Sequence, residues 1–146
     1  MKKLKGRAIA FTSDLHVGSR YSVFPEDFKG LEGNPLELNE GQKQLNKYYY
    51  DYVDECKAWD VDTVVLVGDI IHSTNRKEFG IQTMTTNLNE QVDAAKKILE
   101  PLCNERKVYM FSGSGYHESL DSRQHQHLAN QMKAEWCGAI ANLEFN

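Results

Sequence analysis

Three short stretches of the chain are apolar at consecutive positions, and each is closed by a small or acidic residue. Arg7 to Ser13 stops at Asp14, Asp62 to Val67 stops at Gly68-Asp69, and Lys107 to Ser112 stops at Gly113. Continuous apolarity with β-branched residues predicts strands covered on both faces, as in a parallel sheet with helices on each side. Between the first two strands, Leu45, Tyr48, Tyr49, Tyr52, Val53, Cys56 and Trp59 recur at steps of three and four, which predicts a helix with a wide apolar stripe. The tyrosines at 48, 49, 50 and 52 share that helical spacing, so core packing is expected of them rather than a base-stacking platform. Val92, Ala95, Leu99, Leu102 and Cys103 predict a second helix, capped by Asn87 or Asn89, with Pro101 in its last turn. Leu128, Met132 and Trp136 predict a third, starting near His125, and Ala139 to Phe145 reads as the opening of a further strand. Strand, helix, strand, helix, strand predicts an α/β fold with a parallel-sheet βαβαβ core and right-handed crossovers.

Two segments fit neither kind of element. Val17 to Leu38 is rich in Gly and Pro and follows Asp14-Leu-His16, while Ile70 to Thr86 is polar and follows Gly68-Asp69. Loops of that length inside a compact domain are usually functional. Both begin at the carboxyl end of a strand, where open α/β sheets place their ligands.

Composition narrows the class. At 146 residues with 40% hydrophobic positions, the chain reads as a single globular domain spanning 1–146. The 17 Lys and Arg against 21 Asp and Glu give a net charge of -4, which argues against an extensive nucleic-acid surface. Lys2, Lys3, Lys5 and Arg7 form the one basic cluster, read as a solvated lead-in to the first strand. Uninterrupted apolar runs such as Val64 to Val67 fall far short of the ~20 residues of a membrane-spanning helix, so no membrane partner is expected. Cys56, Cys103 and Cys137 are odd in number, widely spaced and assigned to helix faces, which suits buried reduced thiols and a cytoplasmic location.

Three strand ends then converge on one edge and deliver Asp14 with His16, Asp69, and His117 with Glu118. Carboxylate oxygen with imidazole nitrogen suits divalent Mn, Fe, Zn or Ni, so a metal site is the natural expectation. The surrounding residues sharpen it. Phe11-Thr-Ser-Asp14-Leu-His16-Val-Gly18, Val65-Leu-Val-Gly68-Asp69 and Gly115-Tyr-His117-Glu118 resemble the first three signatures of the calcineurin-like metallophosphoesterases, namely Asp-x-His, Gly-Asp and Gly-Asn-His-Asp/Glu. The resemblance covers residues 7 to about 121. It implies that Asp14 and His16 bind one metal, that Asp69 bridges two, and that His117 stands beside the substrate as the catalytic proton donor. Paired cations about 3.5–4 Å apart hold both the attacking and the leaving oxygen of an in-line phosphoryl displacement.

Two departures modify what the resemblance implies. Tyr116 stands where the family has the Asn that ligates the second metal. The family's closing Gly-His-x-His does not occur in the chain. His125-Gln-His127 has the His-x-His spacing without the preceding Gly or strand, and reads as a solvated helical turn. The chain is therefore expected to form the N-terminal half of a metallophosphoesterase α/β/β/α sandwich, to hold one of the two ions well, and to need a missing C-terminal half as partner for full turnover. Tyr116, Glu118 and His72 are candidates for a supporting shell around the ligands.

The leading function is a metal-dependent phosphoesterase acting on phosphate mono- or diesters through a dinuclear-type site. A DNA or RNA nuclease of the same fold is the alternative suggested by His72, and a non-catalytic metal-binding or interaction remnant is the third.

Overall fold

The computed structural model describes residues 8–74, 80–115 and 123–143. Four strands, β1 (Ala8–Thr12), β2 (Val61–Val67), β3 (Lys107–Phe111) and β4 (Glu135–Gly138), alternate with three helices, α1 (Glu40–Ala58), α2 (Leu88–Cys103) and α3 (Arg123–Met132). The strands lie in the order β1-β2-β3-β4 and all three pairings are parallel. The fold is α/β, with the parallel βαβαβ core that the apolar pattern predicts. Among the described residues no helix is long and apolar enough to cross a membrane.

A sheet that adds its next strand always on the same side brings every right-handed crossover back over one face. The core follows that geometry. Ala10, Val64, Leu66, Val108 and Met110 join Tyr49, Val53 and Cys56 of α1, Ile98, Leu99 and Leu102 of α2, and Leu128 and Ala129 of α3 in one buried cluster. The expectation of helices on both faces is thereby corrected. Alternate strand positions point to the other face, where Phe11 and Val67 are exposed. Val65 and Tyr109 on the two central strands are nevertheless buried, and the Lys107 ammonium lies 4.6 Å from the centre of the Tyr109 ring. Among the described residues no second helical layer covers this face, and lateral burial of Val65 between Phe11 and Tyr109 accompanies the unbroken apolar run in β2.

Helix α1 also buries a different stripe from the one predicted. Gln42, Asn46, Tyr49, Val53 and Cys56 face inward, whereas Leu45, Tyr48, Tyr50 and Trp59 are exposed. The reason is polar. The first two turns of α1 pack against the loop after β1, whose backbone groups need partners once buried. Gln42 Nε2 donates to the carbonyls of Ser19 and Ser22, both at 3.2 Å. Asn46 donates to Phe24 O at 2.7 Å and accepts from Phe24 N at 3.1 Å. Asn39 caps the helix in a capping box with Gln42.

Asn87 is the cap of α2, accepting from the N–H groups of Asn89 and Glu90. The last strand lies earlier than expected. Trp136 and Cys137 belong to β4 rather than to the third helix, and Ala139 to Leu143 carries no strand. Lys133, with φ 55, ends α3 abruptly, so the chain enters β4 two residues later.

Candidate metal centre

The loops leaving β1 and β2 run side by side. Asp14 N donates to Gly68 O, His16 N to Asp69 O at 2.9 Å, Val17 N to Ile70 O at 2.8 Å, and His72 N returns to Val17 O at 3.0 Å. The parallel ladder thus continues past the strand ends, and it fixes where Asp14, His16 and Asp69 emerge. The three carry φ values of 55°, 45° and 48°. Left-handed backbone is uncommon outside glycine, though Asp and His tolerate it better than most residues. Three neighbouring instances turn the side chains toward one another, and such local strain concentrates at ligand-holding sites.

One ligand atom from each of Asp14, His16 and Asp69 lies within 4.8 Å of the other two. His16 Nε2 stands 3.7 Å from Asp14 Oδ1. Donors around a cation at about 2.0–2.2 Å are separated by roughly 3–4 Å, so the trio needs only a small contraction to close on an ion. Two carboxylates and an imidazole fit a divalent Mn, Fe, Zn or Ni ion by their chemistry. Asp14 is exposed while His16 and Asp69 are half-buried, which leaves one side of the trio open to solvent.

Asp69 is held from behind by β3. Ser114 donates to Asp69 Oδ1 from its backbone N–H at 2.8 Å and from its hydroxyl at 3.2 Å. That contact requires the ends of β2 and β3 to approach closely. A Cβ on Gly68, whose φ is +67°, would sit 2.5 Å from Gly113 Cα, and one on Gly113 would collide with Asp69 Oδ1 and Asp69 N. Both glycines are therefore part of the site's construction.

Two buried side chains that sequence reasoning did not select hold the loop after Asp69. His125, 1% exposed, turns Nε2 toward the N–H groups of Ile70 at 3.1 Å and Ile71 at 3.2 Å. The reading of His125 as a solvated turn residue is corrected. His125, Leu128, Ala129 and Met132 share one helical face, and that spacing was the available signal. His127 on the other face is exposed, with Nε2 2.9 Å from Gln131 Nε2. Gln91, fully buried, accepts from Ser73 N at 2.8 Å and donates to Thr85 O at 2.8 Å, tying the far end of the same loop.

His72 is 5% exposed, and its ring meets that of His16 edge-on at 5.8 Å between centroids. It stands beside His16, outside the group of three convergent donors. Tyr116, His117 and Glu118 lie outside the described residues.

A cavity of about 370 Å³ opens beside the trio, lined by Asp14, Leu15, His16, Ser19, Tyr21, Ser22, Val23, Leu45 and His72. No Lys or Arg is among these residues. No family model matches the sequence, and no curated protein matches it.

Proposed function

We propose that this chain is a metal-dependent phosphoesterase. The observation that supports the reading is the convergence of Asp14, His16 and Asp69, from two separate strand ends, to within 4.8 Å. Asp14 and His16 would grip a divalent cation from the β1 loop and Asp69 from the β2 loop. A cation held there would stabilise charge on the phosphoryl oxygens and lower the pKa of a water molecule. Ser114 keeps the Asp69 carboxylate turned toward the trio, and His125 keeps the following backbone in place. His117, three residues beyond Ser114 in the sequence, would give a proton to the leaving oxygen.

Among the described residues no Lys or Arg lines the cavity, which favours a small phosphoester over a nucleic-acid backbone, because polyanion binding depends on basic side chains. Free, buried Cys56 and Cys103 favour a reducing compartment and hence the cytoplasm.

The test is metal titration by calorimetry, paired with hydrolysis of p-nitrophenyl phosphate and bis-p-nitrophenyl phosphate in Mn, Ni, Zn and Mg. One tightly bound ion per chain, lost in Asp69→Asn together with any turnover, is expected. Failure of the wild-type chain to bind any of these ions would overturn the reading.

A further inference from the structure

The cavity beside the trio has chemistry of its own. Its mouth begins at Asp14 and His16, and its walls are Leu15, Val23, Leu45 and the ring of Tyr21. Tyr21 is 70% exposed and Leu45 39% exposed, so apolar surface faces solvent at the rim of a concave site. A volume of about 370 Å³ lies within the range of small-molecule pockets.

The two serine hydroxyls in the lining are already engaged. Ser22 Oγ donates to Ser19 O at 3.0 Å, and Ser19 Oγ accepts from Tyr21 N at 3.1 Å. Behind them Gln42 fixes the carbonyls of Ser19 and Ser22, and Asn46 clamps Phe24 through both its backbone groups. The loop is thus braced by buried amides rather than left to order on binding, which lowers the cost of receiving a rigid ligand. A polyhydroxylated group would find both serine hydroxyls engaged, and a polyanion would find no Lys or Arg among the described lining residues. A flat apolar ring would find aliphatic walls and an aromatic lip.

We infer that this cavity is the subsite for the organic group of the substrate, and that it selects phosphate esters of a flat, uncharged aromatic group over those of small polyols or nucleic acid. The inference rests on the phosphoesterase reading of Asp14, His16 and Asp69, with the phosphoryl group at the trio and the ring between Tyr21 and Leu45.

The experiment compares two non-hydrolysable probes, phenylphosphonate and methylphosphonate, binding to the full chain in Mn by calorimetry. Phenylphosphonate should bind about tenfold more tightly, because only its ring removes apolar surface from water. Tyr21→Ala and Leu45→Asn, at exposed positions, should each erase most of that ratio while leaving methylphosphonate affinity unchanged. The Tyr21 ring resonances should shift with phenylphosphonate and stay in place with methylphosphonate. Equal binding of the two probes, abolished in both cases by Asp69→Asn, would leave the metal centre standing and sink the subsite. Displacement of methylphosphonate by an oligothymidylate more readily than by phenylphosphonate would also sink it, in favour of a nuclease. Binding of neither probe, or binding indifferent to Asp69→Asn, would overturn the phosphoesterase reading and this inference with it.

Discussion

Ser114 grips one oxygen of the Asp69 carboxylate twice, from its backbone N–H at 2.8 Å and its hydroxyl at 3.2 Å. The pair joins the end of β3 to the loop after β2, so the orientation of a candidate ligand depends on a strand that supplies none of the convergent trio itself. Partners that orient ligands in this way typically contribute 10- to 100-fold to metal affinity. Ser114→Ala removes the hydroxyl and keeps the backbone bond, so affinity for Mn should fall about tenfold, at the low end of that range. Calorimetric titration of the variant checks this, and unchanged affinity would show that the hydroxyl does not orient Asp69.

The approach that permits this contact leaves no room at Gly113, where a Cβ would collide with Asp69 Oδ1 and N. The clash is with backbone as well as carboxylate, so side-chain rotation cannot relieve it. Gly113→Ala should destabilise the fold by about 1–3 kcal/mol, the usual cost of overpacking, and should weaken metal binding at the same time. Gly115→Ala, where an added Cβ meets nothing within 4 Å, is the control and should change neither. Urea denaturation of the two variants decides the matter.

Much of the fold was legible because it is written in apolar runs. β1, β2 and β3 fall within one residue of the predicted stretches, since one face of each strand packs on the helices while apolar residues also occupy the other. The convergence of Asp14, His16 and Asp69 was legible for a related reason: each follows the end of such a run, and strand ends in this topology share an edge. What escaped reading is polar burial. Gln42 and Asn46 extend the stripe of Tyr49, Val53 and Cys56 back by two turns, yet an amide counts as solvent-facing until the loop carbonyls it satisfies are known. β4 escaped because Glu135-Trp-Cys-Gly138 is too short to establish a period, and pairing with β3 defines it.

His125 shows the same polar burial acting on stability. Its Nε2 takes the N–H groups of both Ile70 and Ile71 in a site that is 1% exposed, so no water can replace it without a cavity. A buried donor left without an acceptor costs about 1–3 kcal/mol. His125→Ala should therefore lower unfolding free energy by about 2 kcal/mol or more, counting two such donors. His127→Ala, on the exposed face of the same helix, should stay within about 0.5 kcal/mol of the parent. Equal effects of the two substitutions in denaturant melts would refute the assignment of His125 to the loop.

Alkaline pH should weaken the fold through Cys103. Burial pushes its thiol up to about 12, against a partial counter-effect of the Arg106 guanidinium, while an unfolded thiol titrates at about 8.5. A group whose folded pKa is raised gives its full stabilisation below the unfolded value, because both states are then protonated alike. Above about 8.5 the unfolded chain loses the proton and the folded chain does not, so stability falls as pH rises and the loss is complete only at about 12. Each group of this kind contributes a slope of up to ~1.4 kcal/mol per pH unit. Tyr49, whose phenol is also raised by burial and donates to Ile98 O at 3.1 Å, adds to the decline from about pH 10. Thermal melts between about pH 8 and 10 should therefore show a falling midpoint in the wild type and a flatter one in Cys103→Ala. Iodoacetamide at about pH 8 should leave Cys103 unmodified in the folded chain and alkylate it in urea. A midpoint that falls equally in both proteins would assign the alkaline loss to Tyr49 and other groups instead of the buried thiol.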